Sequence, residues 1–232
     1  MPIVFSWLEI QVSAIAAWLG FMFLLVSWLD QQKAEPELVR KVMHIGAGQV
    51  LLIAWLLQVP LVICLGFSLL FSAIALVSYY LPILPMLNSV GRKTLGVFYY
   101  ALSITILVAV FWSINQPQYA AIGVLVMAWG DGLAALVGTR WGKNFYQIGN
   151  NRKTLEGSLA MAIASYLVML GVLAIVLGNS WAIFLIPLPV ALVAAGLEAV
   201  SPGGTDNLTV PLVSAGLCYG FVLIAINFRL QA

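Results

Sequence analysis

Residues 118–138 read QYAAIGVLVMAWGDGLAALVG, a run of 21 residues whose single charge is Asp131. As a helix rising about 1.5 Å per residue, it can cross a hydrocarbon core of about 30 Å. A lone carboxylate inside such a span costs about 2.5 kcal/mol or more. Asp131 therefore has to meet a hydrated cavity, a cation or a basic partner. The whole chain has the same character: 63% of its 232 residues are hydrophobic and only 8% are charged. Soluble domains carry about 25% charged residues. This composition leaves too little polar surface for a soluble protein, and the chain reads as an integral membrane protein.

Apolar runs bounded by charge, Gly, Pro or Asn predict about eight helices, near 3–29, 44–58, 60–80, 95–114, 118–138, 157–177, 181–199 and 208–228. The expected fold is all-α: a polytopic transmembrane helical bundle forming one domain over residues 1–232. The second span is short and is parted from the third only by Val59-Pro60. The seventh holds Pro187 and Pro189, so it should kink or break. No basic residue or transit peptide precedes the first helix, which is too long for a signal h-region and reads as a retained span.

The basic residues set the expected orientation. Lys33, Arg40, Lys41, Arg92, Lys93, Arg140, Lys143, Arg152 and Lys153 all fall in connections on one side, and Arg229 alone falls on the other. By the positive-inside rule the charged side is cytoplasmic, which places both termini on the non-cytoplasmic side. Cys64 and Cys218 lie far apart in apolar segments and read as packing residues. A single histidine excludes a multi-histidine metal site, and nothing in the chain points to nucleic acid.

Four polar clusters interrupt the apolar pattern. In EPELVRKVMHIGAG (35–48), Arg40, Lys41 and His44 are neighbours on a helix surface and suit a phosphate-bearing ligand. Anchoring at lipid headgroups explains the two basic residues equally well. In NSVGRKTLG (88–96), topological anchoring is the better account of Arg92 and Lys93. In WGDGLAALVGTRWGKNFYQIGNNRKTLEGS (129–158), Gly130, Ala134, Gly138 and Gly142 form a small-residue stripe that admits a neighbouring backbone. Gly130 and Gly132 also leave room for a ligand. The bland role for Asp131 is a helix-locking ion pair, but intramembrane acids mark functional sites by default. Arg152, Lys153 and Glu156 have helical spacing around the start of the sixth span, where the bases could grip phosphate and the acid orient it. In LEAVSPGGTDNLTVP (197–211), Glu198 and Asp206 flank a glycine-rich turn whose N–H groups could meet phosphate. With Asp131 and Glu156, these acids supply enough oxygen ligands for magnesium.

RKVMHIGAG, WGDGLAALVGTRWGK, RKTLEGSLAM and GGTDNLTVP, in that order over about residues 38–215, together resemble the CTP-using polyprenol kinases. That superfamily includes phytol and dolichol kinases and, more distantly, phosphatidate cytidylyltransferases. SYYLPILPMLNSVGRKTLG strengthens the similarity to the phytol kinases of photosynthetic organisms, while the helix over 1–30 lies outside it. The resemblance implies phosphorylation of a membrane isoprenoid alcohol, phytol above all, with CTP as co-substrate; the acids read above call for magnesium or another divalent cation beside it. It implies that Arg40, Lys41 and Asp131 are needed for activity. It further matches Lys153, Thr154, Glu156 and Gly157 to a Lys-Ser/Thr-x-Glu-Gly element, and Asp206-Asn207 to a final Asp-Asn pair. Cytidylyltransferases place a basic residue where Asn207 stands, which counts against nucleotidyl transfer.

The residue chemistry gives the same division of labour. Asp131 and Asp206 are the expected metal ligands, with Glu198 or Glu156 assisting. Arg40, Lys41, His44 and Arg152, with Gly130, Gly132 and Gly138, are the expected binding set for substrate and nucleotide, to which the resemblance adds Asn207. Asp131, Lys153 and Glu156 are the expected catalytic residues, with Lys153 also gripping the triphosphate. Asp131 could instead accept the alcohol proton. A transporter is the remaining rival, although the chain shows no internal repeat. The expected setting is a multi-pass bacterial membrane, with the active site facing the cytoplasm.

Overall fold

The computed structural model describes residues 6–81, 95–149, 151–178 and 180–231. Its helices are α1 (Trp7–Gln31), α2 (Pro36–Leu56), α3 (Leu61–Tyr80), α4 (Gly96–Leu107), α5 (Pro117–Trp141), α6 (Leu155–Leu177), α7 (Ala182–Leu185), α8 (Pro187–Val200) and α9 (Asp206–Gln231). Seven stretches among the described residues are long and apolar enough to span a membrane, with α7 and α8 together making one of them. An eighth is shorter, because α4 runs on through a π-helical turn at Val108–Trp112. The expected bundle of about eight apolar helices is therefore present.

Two boundaries depart from expectation. Helix α2 begins at Pro36, well before the expected start at residue 44, because the charged stretch EPELVRK is helical too. Pro36 fits the first turn, where its missing N–H costs nothing, and Glu37 complements the positive helix end. The second departure is a small antiparallel hairpin, β1 (Phe145–Ile148) and β2 (Asn151–Thr154), with Phe145 opposite Thr154 and Ile148 opposite Asn151. Gly149 makes the turn possible with a φ of 56°, in the left-handed region. Arg152 and Lys153 thus lie on a strand, and the helical spacing assumed for them does not hold. The break expected around Pro187 and Pro189 is present: α7 ends at Leu185 and α8 starts at Pro187.

Helix α5 is the hub. In its most apolar window 67% of residues are buried, against 6% for α1, so α5 is sheathed by other helices while α1 faces lipid. Small residues permit this. A Cβ added at Gly157 of α6 would lie 2.9 Å from the Ala134 carbonyl oxygen, and one at Gly123 would lie 2.4 Å from the Pro211 carbonyl oxygen on α9. Helix α1 is tied on through two side-chain hydrogen bonds, from buried Gln11 and half-buried Trp18. Gln11 Nε2 donates to the Leu57 carbonyl at 2.8 Å, satisfying the C-terminal end of α2, and Trp18 Nε1 donates to the Gly46 carbonyl at 2.8 Å.

The topology gathers the starts of α2, α4, α6 and α9 with the ends of α1, α5 and α8 at one end of the bundle. Gly204, φ 87°, packs against Gly96 there, and a Cβ on it would come within 2.9 Å of the Gly96 Cα. Arg92 and Lys93 lie outside the described residues.

Candidate active site

Lys41, His44 and Gly48 repeat at i, i+3 and i+7 along α2, so they share the face turned toward α5. That face delivers Lys41 Nζ to within 2.5 Å of Asp131 Oδ2. Both groups are deeply buried, with side-chain exposures of 3% and 12%. His44 Nε2 stands 3.9 Å from the same oxygen, beyond hydrogen-bond range, and its ring packs on Tyr100 at 4.2 Å between centroids. Of the three companions the sequence allowed Asp131, the structure shows a basic partner.

A second ion pair lies beside the first. Strand β2 ends in Thr154, whose hydroxyl accepts from Gly157 N at 3.1 Å and caps α6. One residue earlier, Lys153 projects to Glu198 of α8 and pairs with it. Burial alone would lower the pKa of the Lys153 ammonium, but the Glu198 carboxylate outweighs it and holds the value above the ordinary lysine range. Asp206 opens α9, and its Oδ1 accepts from Asn207 N at 3.1 Å.

The pairs converge. Carboxylate oxygens from Asp131, Glu198 and Asp206, carried by α5, α8 and α9, lie within 4.8 Å of one another. Three carboxylates this close repel strongly in a low-dielectric setting, and two lysines compensate only part of their charge. Hard oxygen donors with residual negative charge at a polar helix end are what a magnesium ion binds, leaving its other positions for phosphate oxygens. The residues present fit such an ion.

The other expected site residues divide. Arg40 stays at the rim, bound to Glu37 at 2.9 and 2.5 Å, yet within electrostatic reach of Asp131 and Asp206. Asn207 closes the glycine turn, its Nδ2 donating to the Gly204 carbonyl at 3.3 Å. Arg152 lies over the Phe145 ring at 4.2 Å and is not drawn into the acid cluster. Glu156 accepts from Asn144 Nδ2 at 2.8 Å and from Asn144 N at 3.2 Å, fastening the hairpin to α6 rather than joining the other acids. Gly130 faces Met161 and Ser165, Gly132 faces Ile45, and Gly138 faces Thr154 and Gly157, so all three sit at helix contacts. Sequence reasoning passed over Tyr100 and Asn144. Neither carries a spacing signal, because Tyr100 sits in an ordinary aromatic run and Asn144 in an unremarkable loop.

The architecture and this cluster describe a membrane-embedded protein with a charged, phosphate-compatible centre at one end of its bundle. Comparison with known proteins sharpens that class. The chain is 49% identical to the phytol kinase of Synechocystis sp. over 209 residues, 90% of each protein. It is 30% identical to the probable chloroplastic phytol kinase 2 of Oryza sativa subsp. japonica, over 78% of this chain and 64% of the rice protein. It is also 29% identical to the chloroplastic farnesol kinase of Arabidopsis thaliana, over 82% of this chain and 66% of that protein. The protein belongs to the phytol kinase-like family of prenol kinases. No family profile and no solved structure matches it.

Proposed function

We propose that this protein transfers the γ-phosphoryl group of CTP to the hydroxyl of a membrane isoprenoid alcohol, with phytol the favoured acceptor. The observation that carries the reading is the convergence of Asp131, Glu198 and Asp206 with Lys41 and Lys153. Phosphoryl transfer asks a protein chiefly for positioned cations and an oriented nucleophile, which this cluster can furnish.

Asp131, Asp206 and Glu198 would hold magnesium, which supplies charge neutralisation at the phosphates. Lys41 and Lys153 then have a second task, turning from their carboxylates toward phosphate oxygens as the nucleotide enters. Arg40 and Arg152 give the entrance a positive field, Arg40 within reach of the cluster and Arg152 on the hairpin. The alcohol oxygen attacks the γ-phosphorus, the bond to the β,γ-bridging oxygen breaks, and its electron pair leaves with CDP. The alcohol proton passes to a carboxylate, for which Asp131 is the candidate. Positive-inside bias favours this end of the bundle lying at the cytoplasmic face of a bacterial membrane, with both termini opposite. A prenyl chain can then stay in lipid while its hydroxyl enters near headgroup depth.

Purified protein incubated with phytol, magnesium and CTP is expected to yield phytyl phosphate and CDP. Pyrophosphate with a CMP-bearing lipid would instead identify nucleotidyl transfer, against which Asn207 already counts. Absence of any turnover with phytol or farnesol would overturn the kinase reading.

A further inference from the structure

Tyr100 is only 4% exposed, and its hydroxyl is buried without a hydrogen-bond partner among the described residues. Burying an unpaired hydroxyl is unfavourable, and native structures keep few such groups. The ring of Tyr100 is held by the tilted stack on His44, 4.2 Å between centroids. His44 Nε2 is itself buried and without a partner, 3.9 Å from Asp131 Oδ2. One of the two orphaned polar atoms, His44 Nε2, therefore faces the carboxylate at the centre of the cluster, and the other is carried on the ring stacked against that histidine.

Their depth is informative. Gly48 is where the phenol oxygen touches α2: a Cβ there would lie 3.0 Å from Tyr100 Oη and 2.7 Å from Ala128 Cβ. Along α2, Gly48 is about 10 Å further from the charged end than Lys41. Lys41, His44 and the Tyr100 hydroxyl thus form a polar file leading from the phosphate-compatible end toward the bilayer interior. On the kinase reading, nucleotide would meet the charged end of that file and a lipid alcohol the other. An alcohol hydroxyl offers one donor and two acceptor sites, so it can donate to Asp131 and still accept one bond while a lone pair faces phosphorus.

We propose that Tyr100 positions the acceptor: its phenol O–H hydrogen-bonds the oxygen of the incoming prenyl alcohol on the bilayer side of Asp131. This rests on the kinase reading, and the two fail in different ways. Tyr100→Phe removes only the hydroxyl and keeps the ring on His44. The variant should melt at the wild-type temperature or slightly above, since no internal bond is lost. Its KM for phytol should rise by about 5-fold to 10-fold at unchanged kcat, with the KM for CTP unchanged. Wild-type kinetics toward the alcohol in Tyr100→Phe would overturn the assignment, as would an equal loss toward both substrates. Absence of turnover in the wild-type protein would instead strike the kinase reading itself.

Discussion

Asp131→Asn is expected to lower phosphoryl transfer per folded molecule by about a thousandfold. The substitution keeps the shape of the side chain. It removes a negative charge from a cluster of three and, with it, the proposed acceptor of the alcohol proton. It also strands Lys41, whose side chain is 3% exposed, beside a neutral amide. Breaking a buried pair by removing one partner costs about 3–5 kcal/mol, so the variant should melt earlier as well. The two effects separate the competing roles of Asp131. If it serves only to lock α2 to α5, the molecules that remain folded will turn over at the wild-type rate. If it serves the chemistry, turnover per folded molecule collapses, and a Lys41→Met/Asp131→Asn double variant regains thermal stability without regaining activity.

The second large effect falls on the nucleotide. Lys153→Met should raise the KM for CTP by about 30-fold to 100-fold, the worth of a charge-assisted contact to phosphate, while the KM for phytol stays put. Lys153→Arg should recover part of the loss. The hairpin matters here because strand geometry separates two adjacent basic residues. Lys153 reaches Glu198, whereas Arg152 stacks on Phe145. Arg152→Ala should therefore weaken CTP far less than Lys153→Met. A Lys153 variant with unaltered nucleotide KM and a raised phytol KM would put the triphosphate elsewhere.

Much of this arrangement was legible from residue order. Hydropathy marks the helices because lipid demands long apolar runs, and Pro187 with Pro189 marks the break between α7 and α8. The depth of Asp131 below the charged connection signalled a partner, which the structure supplies as Lys41. What stayed hidden has physical causes. The hairpin over 145–154 is short and sits between two strongly apolar spans, so its alternation is drowned by its flanks, although the dipeptide Gly149-Asn150 is itself a two-residue turn signal. The apolar span of α2 was started at residue 44 because its first turns are charged, although the helical spacing read for Arg40, Lys41 and His44 holds and only residues 36–39 went unread as helix. Tyr100 was invisible because one hydroxyl in the aromatic run FYYALS looks like packing until its lack of a partner is seen. Glu156 shared the composition of the acid cluster, but its position at the start of α6 points it at Asn144 instead.

Divalent-ion binding to the protein alone tests the central claim most directly. Mn2+ titrated into purified protein without nucleotide, followed by its EPR signal, should show one ion bound by the wild type. Binding should weaken about tenfold in Asp206→Asn, because affinity follows the number of charged oxygen ligands. Equal binding in wild type and Asp206→Asn, or no bound ion at concentrations that support turnover, would contradict the assignment of Asp131, Glu198 and Asp206 to one metal and phosphate site.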